Sequence, residues 1–201
     1  MSDLFSDAAE GRLSSLAPLA RRLRPARLED FVGQRSVVGT GSALALAIAE
    51  DRVSSCIFYG PPGSGKTTLA RIVAASTGAA FEDLSAVSAT VADVRGVLQR
   101  ARDRLGGEGR RTVLFLDEIH RFNKAQQAAF LPYVEKGDII LFGSTTENPS
   151  FEVIAALLSR MKVLMLNPLS EEALVRVLDE ALRDEQRGLG RLNLTLDEEA
   201  R

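Results

Sequence analysis

Residues 60–67 read Gly60-Pro61-Pro62-Gly63-Ser64-Gly65-Lys66-Thr67, a complete G-x-x-x-x-G-K-[ST] run. The run constrains the fold because it works only between a strand and a helix N-terminus. Apolar Cys56-Ile57-Phe58-Tyr59 precede it, and Thr68-Leu69-Ala70-Arg71-Ile72-Val73 follow with helical character. Glycines in such a loop let backbone N–H groups curl round a phosphate chain without side-chain clashes. Lys66 supplies a point charge to the outer phosphates, and the Thr67 hydroxyl suits a Mg²⁺ ligand. Residues Pro61, Pro62, Gly63, Ser64, Gly65, Lys66, Thr67 and Thr68 are the candidate contacts to a nucleoside triphosphate.

The rest of the chain supplies the layers that such a loop needs. Strands are predicted at about 55–59, 80–84, 112–116, 139–142 and 163–166. Thr112-Val113-Leu114-Phe115-Leu116 is apolar without a break, the pattern of a parallel strand covered on both faces. Between the strands, helices are predicted over about 43–50 (capped by Ser42), 66–76, 90–104, 123–136 and 151–159. Pro132 should kink or break the fourth of these. Gly106-Gly107-Glu108-Gly109 reads as a turn. Strands alternating with helices imply an α/β fold around a parallel sheet. Residues 1–20 read as an irregular, polar segment, residues 21–167 as the α/β core, and residues 168–201 as the start of a helical lid. In the last segment a helix is expected from Ser170 to about Arg187, ended near Gly188–Gly190. Thr195-x-x-Glu198 then has the form of a capping box three residues before Arg201, so the native protein is expected to continue past it.

Other strand ends carry polar chemistry. Val113-Leu114-Phe115-Leu116 runs into Asp117-Glu118, and strand C-termini line the ligand crevice in open α/β sheets. An Asp-Glu pair there reads by itself as a solvated turn or a helix cap. Downstream of a full phosphate loop, Asp117 reads as a second Mg²⁺ ligand and Glu118 as the base that polarises a water for attack on the γ-phosphate. The next strand ends Gly143-Ser144-Thr145-Thr146-Glu147-Asn148-Pro149, between the other two motifs. Thr146 is the candidate to orient water or sense the γ-phosphate, with Asn148 as second candidate; the competing reading is a polar turn. Arg160, after Leu157-Leu158-Ser159, reads locally as a surface charge matched to a helix C-terminus. His120 reads as structural.

Composition excludes several classes. Of 201 residues 45% are apolar, enough for a full core, and no apolar run approaches the ~18 residues of a membrane span. The net charge of −2 gives no global field toward nucleic acid, and both basic clusters (Arg21, Arg22, Arg24, Arg27, and Arg100, Arg102, Arg104, Arg110, Arg111) read as solvated faces. The single cysteine, Cys56, reads as an apolar filler in a reducing compartment, and the acidic start lacks a signal-peptide core. A cytoplasmic location follows as the expectation. Leu4-Phe5 reads as part of a terminal tail rather than a docking peptide.

These motifs, in this order, resemble AAA+ ATPases of the clamp-loader group, and within it the replication-associated recombination protein A family, related to the Werner helicase-interacting protein. The resemblance covers about residues 18–200. It rests on Pro18-Leu19-Ala20, Arg24-Pro25, Asp30-Phe31-Val32-Gly33-Gln34 and the phosphate loop. Narrower still are Leu116-Asp117-Glu118-Ile119-His120-Arg121-Phe122-Asn123-Lys124, Ser144-Thr145-Thr146-Glu147-Asn148-Pro149-Ser150-Phe151 and Leu157-Leu158-Ser159-Arg160. It implies a P-loop NTPase three-layer sandwich with a five-stranded parallel sheet and a helical lid. It implies ATP and Mg²⁺ as cofactors, Thr146 as the first sensor, and Val32, Gly33 and Gln34 beside the adenine. Arg160 becomes an arginine finger offered to a neighbouring subunit. The implied setting is the stalled replication fork, with DNA ends, gaps and junctions, single-strand DNA-binding protein and a homo-oligomer, typically a tetramer, associated with the nucleoid. A sliding-clamp loader, a branch-migration motor and a low-turnover nucleotide switch remain alternatives. Two departures stand out: Met161 follows Arg160 where clamp loaders often carry cysteine, and no second-sensor arginine in a later lid helix falls before Arg201. Weak nucleotide binding and slow hydrolysis are therefore expected of these 201 residues alone.

Overall fold

The structure is a computed structural model and describes residues 17–197. Leu4-Phe5, Glu198 and Arg201 lie outside the described residues. The chain divides into two compact units, Ala26–Leu169 and a second made of Met1–Pro25 with Ser170–Arg201.

In the first unit five strands form one parallel sheet: β1 (Cys56–Tyr59), β2 (Ala80–Ser85), β3 (Thr112–Asp117), β4 (Ile140–Thr145) and β5 (Lys162–Met165), in the order β2-β3-β4-β1-β5. Successive side chains of a strand point to opposite faces, which is why the inner strands β1, β3 and β4 are buried on both faces, while the edge strands β2 and β5 carry Glu82, Asp83 and Lys162. Ile57, Leu114, Leu116 and Leu141 meet Val94, Leu98, Phe130 and Leu157 on one face. Phe58, Val113, Phe115 and Phe142 meet Leu44, Leu69 and Val73 on the other. Phe58 and Phe142 pack edge to face with centroids 5.3 Å apart. Burying each such ring stabilises the fold by roughly 1.5–3 kcal/mol. The five-stranded parallel sheet between helical layers is the fold that the sequence predicts. Cys56 is fully enclosed, and burial pushes its thiol pKa far up, in line with a filler role.

Helices α2 (Arg35–Val38), α3 (Ala43–Ala49), α4 (Lys66–Ser76) and α5 (Val91–Glu108) precede β3. Ser42 caps α3 by accepting from Ala45 N at 3.2 Å, as its position predicts. Thr90 and Asp93 form a capping box on α5. That helix corrects one expectation: Gly106 and Gly107 are not a turn but the last part of α5. Only Gly109 takes φ +63, and this left-handed residue ends the helix. Helical glycines cost about 1 kcal/mol each without stopping a helix, so a glycine ends one only where its φ turns positive.

The predicted helix over 123–136 is two, α6 (Lys124–Ala128) and α7 (Leu131–Lys136), after a 3₁₀ turn at Ile119–Arg121. Pro132 sits in the first turn of α7, where its missing N–H costs nothing. The predicted helix over 151–159 is also two pieces, α8 (Pro149–Glu152) and α9 (Ala155–Leu158). Between them the buried Gln127 amide donates to Glu152 O at 2.9 Å and accepts from Ile154 N at 2.9 Å. It occupies backbone groups that a continuous helix would pair internally.

In the second unit α1 (Leu19–Arg22) gives helical structure to the end of the segment expected to be irregular. Helix α10 (Glu171–Arg183) starts at its Ser170 cap but stops short of Arg187. Asp184 turns extended, and its carboxylate accepts from Gln186 N and Arg187 N at 2.9 and 2.7 Å. Those bonds and the Arg187 guanidinium lower its pKa to about 2. Among the described residues no helix is long and apolar enough to cross a membrane.

Candidate nucleotide-binding site

Strand order brings three chemical segments to one edge. β4 lies between β1 and β3, and all run the same way. The glycine loop after Tyr59, the tip after Thr145 and the Asp117-Glu118 pair therefore leave the same end of adjacent strands. Gly60 N donates to Thr145 O at 3.2 Å, carrying the β1–β4 pairing one residue into the loop.

Within the loop Gly65 has φ +95, and a Cβ there would stand 2.7 Å from the Phe31 ring. A side chain is excluded on both counts. α4 begins directly after it with no side-chain cap and no acid in its first turn. By contrast Ser42, Thr90, Asn123, Asn148 and Ser170 each cap a helix. An uncapped N-terminus with a lysine in its first turn fits a phosphate chain. Lys66 Nζ donates to Gly60 O and Pro61 O, both at 2.8 Å. Desolvation lowers its pKa, partly opposed by the charges of Asp117 and Glu118, so all three groups share one field. Thr67 and Thr68 follow on the first turn of α4, both half-buried.

The acids are held by β4. The buried Ser144 hydroxyl donates to Asp117 Oδ1 and accepts from Glu118 N, the latter at 3.3 Å. Glu118 has φ +57, the left-handed region, and its carboxylate lies 3.3 Å from His120 Nε2 and 3.8 Å from Arg121 Nε. Ser144 is a residue that motif reading passes over in favour of Thr146. Its place at a strand tip next to the acidic strand is the signal that could have found it. Thr146 follows the last residue of β4 and is half-buried. Asn148 is exposed, and its side-chain oxygen caps α8 by accepting from Ser150 N at 3.0 Å.

The Val32-Gly33-Gln34 segment also reaches the loop. Val32 and Gly33 are half-buried, and Gln34 is buried. The Gln34 amide donates to Ser64 O at 3.3 Å and to Asn167 O at 2.6 Å, and accepts from Asn167 N at 2.9 Å. One side chain thus ties the phosphate loop to the chain leaving β5. Arg160 stands apart from all of these. It lines a cleft with Ser54, Ser55, Ile139 and Ile140, which precede or begin β1 and β4, at the opposite end of the strands. Its guanidinium pairs with Glu135 at 2.7 Å and donates to Ala156 O at 2.8 Å.

The second basic cluster is engaged within the protein. Arg100 and Arg104 bind Glu82 at 2.8 and 2.6 Å, Arg102 binds Asp138 at 2.8 Å, and Arg111 binds Asp51. Arg110 donates to Gly78 O at 3.0 Å.

Comparison with known proteins gives three consistent likenesses. The chain is 52% identical, over 92% of its length, to replication-associated recombination protein A of Coxiella burnetii, and 45% identical over its whole length to the protein of that name from Escherichia coli K12. It spans 41% and 44% of those two relatives. A solved structure of Thermotoga maritima RuvB, described as a Holliday junction branch migration motor, matches with a TM-score of 0.66 and 30% identity, over 80% of this chain and 54% of that one. The profile of the ATPase family associated with various cellular activities (AAA) matches residues 56–169. That match takes in all five strands of the sheet and more than half of the sequence: the chain belongs to the AAA family of ATPases.

Proposed function

We propose that this chain is the ATP-hydrolysing part of a DNA-associated AAA+ protein acting in replication-fork maintenance and in recombination and repair. The observation that carries the reading is the meeting of the Lys66 loop with Asp117 and Glu118 at neighbouring tips of one parallel sheet. In this reading the loop residues Pro61 to Thr68 hold the phosphates, and Lys66 neutralises the outermost charge. Thr67 and Asp117 hold Mg²⁺, which when bound would neutralise charge on the phosphate oxygens. Glu118 accepts a proton from the attacking water, and Thr146 directs that water or reads the γ-phosphate. Val32, Gly33 and Gln34 flank the base, with Asn148 beside the phosphates. Arg160, remote from its own loop, serves the ATP of a neighbouring copy.

The relatives' names support the DNA setting. Forks, ends and single-strand/double-strand junctions, single-strand DNA-binding protein, a tetrameric assembly and a cytoplasmic, nucleoid-associated location belong to the same proposal. The test is ATP turnover by the full-length protein with and without forked, gapped and blunt DNA. Stimulation by DNA is expected, and turnover indifferent to every DNA form overturns the reading. Glu118→Gln should keep ATP binding and lose turnover. The likeness to RuvB favours a second reading, branch migration, and processive movement of a four-way junction would select it.

A further inference from the structure

His120, the one histidine of the sequence, sits between the acid and β4 with both ring nitrogens engaged. Its side chain is 9% exposed. Nδ1 lies 3.0 Å from Thr145 Oγ1, and Nε2 lies 3.3 Å from Glu118 Oε2. An ionised carboxylate only accepts hydrogen bonds, so Nε2 carries the hydrogen. With the hydrogen on Nε2, Nδ1 is an acceptor for the Thr145 hydroxyl, whose other acceptor in reach is Glu147 O at 3.2 Å. Thr145 is itself fully buried, and its Oγ1 accepts from Glu147 N at 3.0 Å. Arg121 also faces Glu118, but from 3.8 Å and with its side chain 63% exposed, a poor anchor.

Glu118 follows the last residue of β3 in a left-handed conformation, so its own backbone does not splint the carboxylate within a regular strand or helix. What fixes the head group is the imidazole, and what fixes the imidazole is the tip of β4. The residue after Thr145 is Thr146, assigned above to the water or the γ-phosphate. A chain of contacts therefore runs from the β4 tip through Thr145 and His120 to Glu118.

We propose that His120 is the positioning residue of Glu118: its Nε2 sets where the carboxylate stands, and its Nδ1 references that place to Thr145 on β4. The proposal rests on the reading of Glu118 as the base. His120 does not touch the nucleotide, so its removal affects the rate of the chemical step and not the binding of ATP.

The experiment measures kcat and KM for ATP on the assembled full-length protein carrying His120→Gln, His120→Asn, His120→Ala or Glu118→Gln. A glutamine amide nitrogen reaches the place of Nε2 and keeps the bond to Glu118. An asparagine amide oxygen reaches the place of Nδ1 and keeps only the bond accepted from Thr145. His120→Gln should retain kcat within about threefold, while His120→Asn and His120→Ala lose about tenfold or more, as expected for losing a hydrogen bond to a charged group. KM should stay within about twofold throughout, as it does when an interaction absent from ground-state binding is lost. Equal losses in the glutamine and asparagine variants, or a kcat that follows melting temperature across the three, overturn the proposal in favour of a packing role. Unchanged kcat in all three overturns it outright. Survival of turnover in Glu118→Gln defeats the base assignment itself, whereas loss there with His120→Asn and His120→Ala fully active defeats only the role of His120.

Discussion

Lys66 rests against its own loop, with its charge half-satisfied by two carbonyl oxygens and held at a lowered pKa by desolvation. In the proposed function a phosphate chain replaces the carbonyls with full negative charge, and that difference is what the lysine would contribute to binding. Lys66→Ala should weaken ATP binding about 10- to 100-fold, the loss of one or two charge-assisted hydrogen bonds, read by calorimetric titration. The sign of the pH effect follows: the ammonium binds the anion, so affinity is complete below the lowered Lys66 pKa and declines as pH rises past it, before the ordinary lysine range. Glu82 illustrates the opposite case. Hydrogen bonds from Arg100, then Arg104, hold its carboxyl below the usual glutamate range. Its contribution to stability is present above the ordinary glutamate pKa and is lost as pH falls through the depressed value. Glu82→Gln should cost about 1 kcal/mol at neutral pH, given that both arginines are partly exposed. In urea titrations the gap to wild type should narrow as pH falls below the ordinary glutamate range and close below the depressed value.

Helix α5 offers the sharpest test at the level of elements. Gly106 and Gly107 are helical without positive φ, and a Cβ at either meets nothing within 4 Å. Gly106→Ala and Gly107→Ala should each add up to about 1 kcal/mol to the unfolding free energy, whereas Gly109→Ala, at φ +63, should subtract about 1 kcal/mol. A turn at 106–107 would give no such gain. This element also marks where local pattern stops informing. The unbroken apolar run Val113-Leu114-Phe115-Leu116, the Ser42 cap and the loop between β1 and α4 are local signals, and they are legible because each is decided by neighbours a few residues away. The break between α8 and α9 is decided by Gln127, 25 residues before Glu152. The grip of Gln34 on Asn167 spans 133 residues. Ser144 meets Asp117 only because of how β3 and β4 are paired, and no spacing within either strand encodes that register. The acids and the lysine were legible as chemistry; the hydroxyls, amides and imidazole that orient them were not.

At the scale of the whole molecule, the phosphate loop and Arg160 occupy opposite ends of the sheet. A subunit closed on itself cannot bring them together, but copies set head to tail can. Arg160→Ala should leave ATP binding within about twofold and lower turnover of the assembly by roughly 10³-fold or more. Mixed with Lys66→Ala subunits it should regain activity, because each supplies what the other lacks. Absence of rescue in subunits shown to co-assemble defeats the shared site. Glu135 holds this arginine, and the stretch leading to it is gripped at Glu152 and Ile154 by Gln127. The same amide donates to Phe122 O at 3.0 Å, just past the acids. Pulling either stretch free strands buried polar groups at about 1–3 kcal/mol apiece, so the cheap motion is the one in which both travel as a single piece. On the proposed shared site, a neighbour that seizes the arginine would thereby tug, through one carboxamide, on the ground beneath the acid pair.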